Sequence, residues 1–118
     1  MNMGFVNVLI LAIAFAAALP MQSEAGENAS PKAARSAKGK TLFIKYCAGC
    51  HGAEGNGDGY KLLGPNPANL TAPATKNKSD SDLLATIHEG KPNMPSWKGR
   101  LTDRDIQNVL AYIRTLPQ

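Results

Sequence analysis

The chain is poor in the residues that build most chemical sites. It has two cysteines and two histidines in 118 residues. No second cysteine doublet accompanies Cys47 and Cys50. Structural zinc sites usually pair two short ligand doublets, so His51 and His88 would have to complete one unaided. No alternating β-branched strand precedes the cysteines and no βαβ pattern surrounds them, so the context of a thioredoxin-like redox pair is missing. A disulfide between them would close too short a loop to stabilise much. The 13 lysines and arginines are scattered, without aromatic-interleaved basic patches, which argues against nucleic acid. Beyond the first 25 residues there is one methionine, Met94.

Residues 1–25 read as a secretory signal. The stretch 8–19 is almost wholly apolar and Pro20 ends it, while Ser23-Glu24-Ala25 places small residues at the cleavage positions and favours a cut before Gly26. Residues 1–7 carry no Lys or Arg, so the amino terminus alone supplies positive charge. The alternative is an uncleaved anchor, but the apolar run is short for a span of about 20 residues. Cleavage leaves about 93 residues, one small domain with a modest core of its own. Formal charge is +4 for the whole chain, and every Lys and Arg lies beyond the signal. Such a surface suits partners with acidic docking faces and salt-sensitive association.

The organising stretch is Cys47-Ala48-Gly49-Cys50-His51. Two cysteines three positions apart with a histidine directly after them form the attachment signature of a c-type haem. Two thiols in one turn reach the two vinyl groups of a haem edge, and the histidine presents its imidazole to the iron. A covalently held haem would also fill the centre of so small a domain, which predicts a poorly folded apo chain.

Around this motif the periodicity predicts helices. Residues 26–37, rich in Ala, Ser, Pro and Lys, read as a flexible lead-in. Leu42, Phe43 and Tyr46 give one apolar face to a helix over residues 37–46. Gly39 within it marks either a close helix crossing or a frayed first turn. Residues 52–59 hold four glycines, which rules out a regular element. No strand precedes this loop and no Gly-Lys-Ser/Thr follows, so it is not a phosphate cradle. Residues 61–71 contain Pro65 and Pro67, which forbid a continuous helix. A loop of this kind can cover one haem face and offer a carbonyl to the second nitrogen of His51.

Ser79, Asp80 or Ser81 caps a helix running to Glu89, with Leu83, Leu84 and Ile87 on its apolar face and Gly90 as its stop. His88, in the last turn, reads as an exposed or capping side chain or as a second iron ligand. Met94 follows between Pro92 and Pro95, where a thioether suits iron as a soft neutral ligand. Trp97 either packs on the haem edge, its indole N–H toward a propionate, or fills the core. The last helix opens at Thr102 with Asp105 three positions on, and Ile106, Val109, Leu110, Ile113 and Leu116 form its stripe, with Pro117 as its stop.

Together these residues resemble class I cytochrome c, a family of monohaem electron carriers, over residues 38–116. The resemblance rests on Gly39 and Phe43, Cys47-Ala48-Gly49-Cys50-His51-Gly52, the glycine-rich loop, Met94-Pro95-Ser96-Trp97 and Tyr112. Gly57-Asp58-Gly59, Pro67-Ala68-Asn69-Leu70 and Trp97-Lys98-Gly99-Arg100-Leu101 are similar to the haem domains of cbb-type terminal oxidases and related soluble periplasmic cytochromes. The resemblance implies an all-α fold in residues 38–118, with three to five helices around one covalent haem c. It implies first and last helices crossing near Gly39 and Tyr112, thioether bonds to Cys47 and Cys50, and His51 and Met94 as axial ligands. It implies a proline carbonyl on His51, for which Pro65 and Pro67 are both candidates, and gives His88 no ligand role.

A low-spin iron closed by His51 and Met94 has no open position. That argues for electron transfer rather than catalysis, and methionine raises the potential. The expected setting is a bacterial periplasm, with a dehydrogenase, oxidase or cytochrome complex as partner and no stable membrane insertion once the signal is cut. The rivals are a haem protein with an open or weakly held sixth site (ligand-binding or peroxidase-like), ligation by His51 and His88, and a zinc module.

Overall fold

The first helix begins where a serine meets a proline. The computed structural model describes residues 29–61 and 67–118, and the signal reading of residues 1–25 and the Pro65 assignment lie outside them. Ser30 caps α1 (Pro31–Tyr46) by accepting from the Ala33 amide at 3.2 Å, and Pro31 occupies the first turn. A proline there loses no hydrogen bond, because the first-turn amides have no intrahelical acceptor. The helix thus starts at Pro31 rather than Ala37, running back through a stretch expected to be irregular. Pro31-Lys32-Ala33-Ala34-Arg35 shows no apolar period but consists largely of good helix formers behind a cap.

Four further helices follow in chain order: α2 (Ala48–His51), α3 (Pro73–Lys76), α4 (Asp80–Glu89) and α5 (Asp103–Ile113). Among the described residues there is no strand, only isolated bridges from Lys91 to Met94 and from Lys98 to Leu101. The fold is all-α. No described helix is long and apolar enough to cross a membrane.

The frame is the crossing of α1 and α5. Gly39 permits it: a Cβ there would fall 1.8 Å from the Asn108 carbonyl oxygen and 3.1 Å from the Tyr112 Cβ. Of the two readings of Gly39, the close crossing is the one observed. One turn on, Phe43 is fully buried, and its ring meets that of Tyr112 at 5.3 Å with a 56° tilt. Val109 and Ile106 are nearly as buried, and Ile113 and Leu116 extend the same stripe. The α5 cap is reciprocal. The Asp105 amide donates to the Thr102 hydroxyl, and that hydroxyl donates to the Asp105 carboxylate at 2.7 Å. Lys38 on α1 pairs with the same carboxylate at 3.0 Å, and a negative group there also suits the helix N-terminus.

The other end of α5 is held by side chains from distant segments. The Lys76 ammonium donates to the carbonyls of Ile113 at 3.0 Å and Leu116 at 2.6 Å, at and just beyond the end of the helix. Arg114 turns off the helix and donates to the Lys76 and Lys78 carbonyls and to Asp80. The helix therefore ends at Ile113, ahead of the expected stop at Pro117. This lock fixes α3 and the start of α4, where Ser79 caps by accepting from the Asp82 amide.

Candidate functional site: an apolar cleft between the cysteine motif and Met94

The cysteine motif leaves α1 on a tight turn. Cys47 closes α1 by donating to the Phe43 carbonyl at 2.8 Å, and its own carbonyl accepts from Cys50 at 3.1 Å and His51 at 2.9 Å. The cysteines are not joined to each other. Burial, and then the neighbouring Cys50, push the Cys47 thiol up to about 12. An activated redox pair needs a thiol lowered by nearby positive charge, so Cys47 has the opposite character.

The glycine-rich loop folds onto the carbonyls of α2. Gly59 donates to Cys50, Gly57 to His51, and Lys61 to Gly49, at 2.7–3.0 Å. A Cβ on Gly59 would lie 2.3 Å from the Cys50 carbonyl oxygen, so the approach needs glycine. Gly57 has a φ of 81°, and a Cβ there would meet the Pro67 carbonyl at 2.6 Å.

That contact corrects one expectation. The Pro67 carbonyl lies over Gly57, and the group on His51 is the Ala68 carbonyl, 3.0 Å from Nδ1. The Pro67 carbonyl faces Gly57, and the next one along reaches the imidazole. A carbonyl only accepts, so Nδ1 carries the proton and Nε2 keeps its lone pair for a metal.

Met94 comes from the far side of the fold. Lys91 and Met94 exchange reciprocal backbone hydrogen bonds of 2.9 Å each. Gly90 has a φ of 76°, and a Cβ there would strike the Met94 carbonyl oxygen at 2.5 Å. The segment is tied back to α4: Trp97 donates to Ile87, Lys98 to His88, and the Ser96 hydroxyl to His88 at 2.7 Å. Backbone contacts thus set the position of Met94, which its own half-buried side chain would not fix alone.

Cys47, His51 and Met94 line a single cleft of about 640 Å³, counting its open mouth. Its walls are apolar: Phe43, Leu70, Leu83, Ile87, Val109 and Ile113. Ala68 and three polar side chains, Thr75, Lys78 and Thr86, complete the lining among the described residues. A large flat apolar group fits this chemistry, with an imidazole and a thioether to hold an iron and a cysteine at hand for attachment. Cys50 stands half-buried on α2.

Two expected candidates lie elsewhere. Trp97 is buried against Tyr46, ring centroids 5.4 Å apart, with the Arg100 guanidinium 4.8 Å from its ring. It belongs to the core around the cleft and does not line it. His88 points to carboxylates, with Nδ1 2.8 Å from Glu89 and Nε2 3.7 Å from Asp103. No three of His, Cys, Asp and Glu form a metal-binding group among the described residues. Lys78 and the Ala68 carbonyl were missed by sequence reasoning. A lysine before a helix cap has no distinctive pattern, and a backbone carbonyl leaves no trace in residue type.

The chain is similar to known proteins over most of its described residues. The family model described as cytochrome c oxidase, cbb3-type, subunit III matches residues 34–113. Cytochrome c55X of Pseudomonas aeruginosa is 36% identical over 101 residues, covering 84% of this chain and 77% of that protein. The cbb3-type cytochrome c oxidase subunit FixP of Bradyrhizobium diazoefficiens is 35% identical over 82 residues. That match covers 68% of this chain, and the chain spans only 27% of the length of FixP. Among solved structures, the KustC0563 c-type cytochrome aligns with a TM-score of 0.59 and 26% identity, covering 68% of this chain and 98% of that one.

The chain belongs to the class I cytochrome c family. It carries covalently attached haem c.

Proposed function

We propose that this chain is an exported single-electron carrier whose haem is bound through Cys47 and Cys50, with His51 and Met94 as the axial ligands. The observation that carries this reading is the convergence of Cys47, His51 and Met94 on one apolar cleft, with the Ala68 carbonyl orienting the imidazole. When bound, the haem supplies a one-electron couple. The protein's part is to hold that couple still. The Ala68 carbonyl fixes His51, the Gly90 turn and the Lys91 pairing fix Met94, and the apolar walls keep water away. A haem held by both His51 and Met94 would leave no iron position for a substrate, which suits transfer rather than catalysis. A thioether donor in a low-dielectric cleft favours the reduced state.

The net charge of +4 suits brief docking on an acidic face of a dehydrogenase, oxidase or cytochrome complex. FixP is itself an oxidase subunit, which makes a cbb3-type oxidase one candidate of this kind. Residues 1–25 act as an export signal, which places the mature protein in the periplasm. Trp97 bears on the site through Tyr46, the residue before Cys47.

Met94→Ala tests the ligand set. The haem stays attached through the cysteines, and the ferrous variant binds carbon monoxide and loses the weak near-infrared sulfur–iron band. A variant that kept its low-spin spectrum and bound no carbon monoxide would show that Met94 is not the ligand.

A further inference from the structure

A haem brings two carboxylates into whatever cleft receives it, and a carboxylate in apolar surroundings is costly unless a cation or a hydrogen bond meets it. The described lining of the cleft contains one lysine or arginine, Lys78. Its backbone is fixed on both sides. The Lys78 amide donates to the Thr75 carbonyl at 3.1 Å, and its carbonyl accepts from Arg114 at 2.6 Å. Arg114 is itself held by Asp80 and by the Lys76 carbonyl. The root of the side chain therefore sits at a set point on the rim, just ahead of the Ser79 cap. Among the described residues, no carboxylate lies within salt-bridge distance of the Lys78 ammonium. Thr86, also on the rim, adds a hydroxyl. Other cations near the motif are engaged: Lys61 and Arg100 lie over the rings of Tyr60 and Trp97.

We infer that Lys78 receives a haem propionate at the mouth of the cleft and thereby raises the reduction potential. The inference rests on the proposed haem site. The consequence is electrostatic. A bare propionate stabilises the oxidised iron, which carries the extra positive charge, and an ammonium on that propionate offsets this and favours the reduced form. Lysine is suited to the task as a compact charge on a flexible stem.

The test uses the intact haem-loaded protein. Its low-spin absorption spectrum is recorded first, because absence of haem would remove the site itself and not merely this residue's role. Redox titration then compares wild type with Lys78→Gln, Lys78→Arg and Lys32→Gln. The last removes one charge from α1, in a groove beside Tyr112 away from the cleft. Lys78→Gln keeps the low-spin spectrum and lowers the equilibrium constant for reduction about 15-fold, the scale of one unit charge at on the order of 10 Å and an effective dielectric near 20. Lys78→Arg restores most of it, and Lys32→Gln shifts it less than twofold. In reduced-minus-oxidised infrared difference spectra, the propionate carboxylate band moves in Lys78→Gln alone. If Lys78→Gln shifts the equilibrium no more than Lys32→Gln, or leaves the carboxylate band in place, Lys78 does not meet a propionate.

Discussion

Replacing Gly39 by alanine tests the α1–α5 crossing against the plainest alternative, that alanine simply makes a better helix. Helix propensity alone would favour the variant by about 1 kcal/mol. The packing opposes this. The new methyl would lie 1.8 Å from the Asn108 carbonyl oxygen, where ordinary contact begins near 3.4 Å. The obstacle is backbone, so no rotamer change relieves it, and the helices must part by roughly 1.5 Å. Gaps of even 0.5–1 Å forfeit a quarter to a half of a dispersion contact. The affected contacts include Phe43 and Val109, at 0% and 1% exposure. Overpacking costs typically 1–3 kcal/mol, and loosening this interface adds a similar amount, so after the propensity gain the net loss is about 1–5 kcal/mol. For a domain of this size that lowers the midpoint by at least about 4 °C. Thermal and urea unfolding of the haem-loaded protein, followed by helical circular dichroism and the haem band together, would measure it. An unchanged or raised midpoint would refute the crossing as described.

Other outcomes follow from the same contacts. Lys76→Met leaves the Ile113 and Leu116 carbonyls without their ammonium donor, at about 2–3 kcal/mol, the range for lost hydrogen bonds to a charged group; an urea midpoint within error of wild type would contradict this. The Thr102 hydroxyl and then Lys38 hold the Asp105 carboxyl below its usual range. A depressed folded pKa contributes stability above the unfolded carboxylate value, and that stability is lost as pH falls through the folded value. Asp105→Asn is thus less stable than wild type at neutral pH, and the difference closes in acid. A difference independent of pH between 2 and 7 would count against the charge and leave only the cap.

Much of this arrangement was legible in the chain. The Cys47–His51 stretch, Met94 between two prolines, and the caps at Ser79 and Thr102 are local patterns with local causes, and the helices from Asp80 and Asp103 form where those patterns place them. Gly39 was legible as an alternative, and the contact with Asn108 decided it. The early start of α1 also had a signal, serine followed by proline, but the missing apolar period concealed it. What the sequence did not disclose depends on distance along the chain. The Ala68 carbonyl on His51 depends on which way the backbone of an irregular loop faces. The hold of Lys76 and Arg114 on the end of α5 joins residues more than 30 positions apart, and nothing in either segment announces the other. Trp97 had two readings, haem edge and core, and its neighbours Tyr46 and Arg100 lie far from it or beside it with no distinguishing spacing.

The most direct test of the account is a reduced-minus-oxidised absorption spectrum of the protein matured in a host with cytochrome c assembly machinery. The expected result is a sharp c-type α band that survives acid-acetone extraction and is unchanged by carbon monoxide. Haem released by extraction would contradict attachment through Cys47 and Cys50, and a ferrous spectrum altered by carbon monoxide would contradict the closed His51–Met94 site.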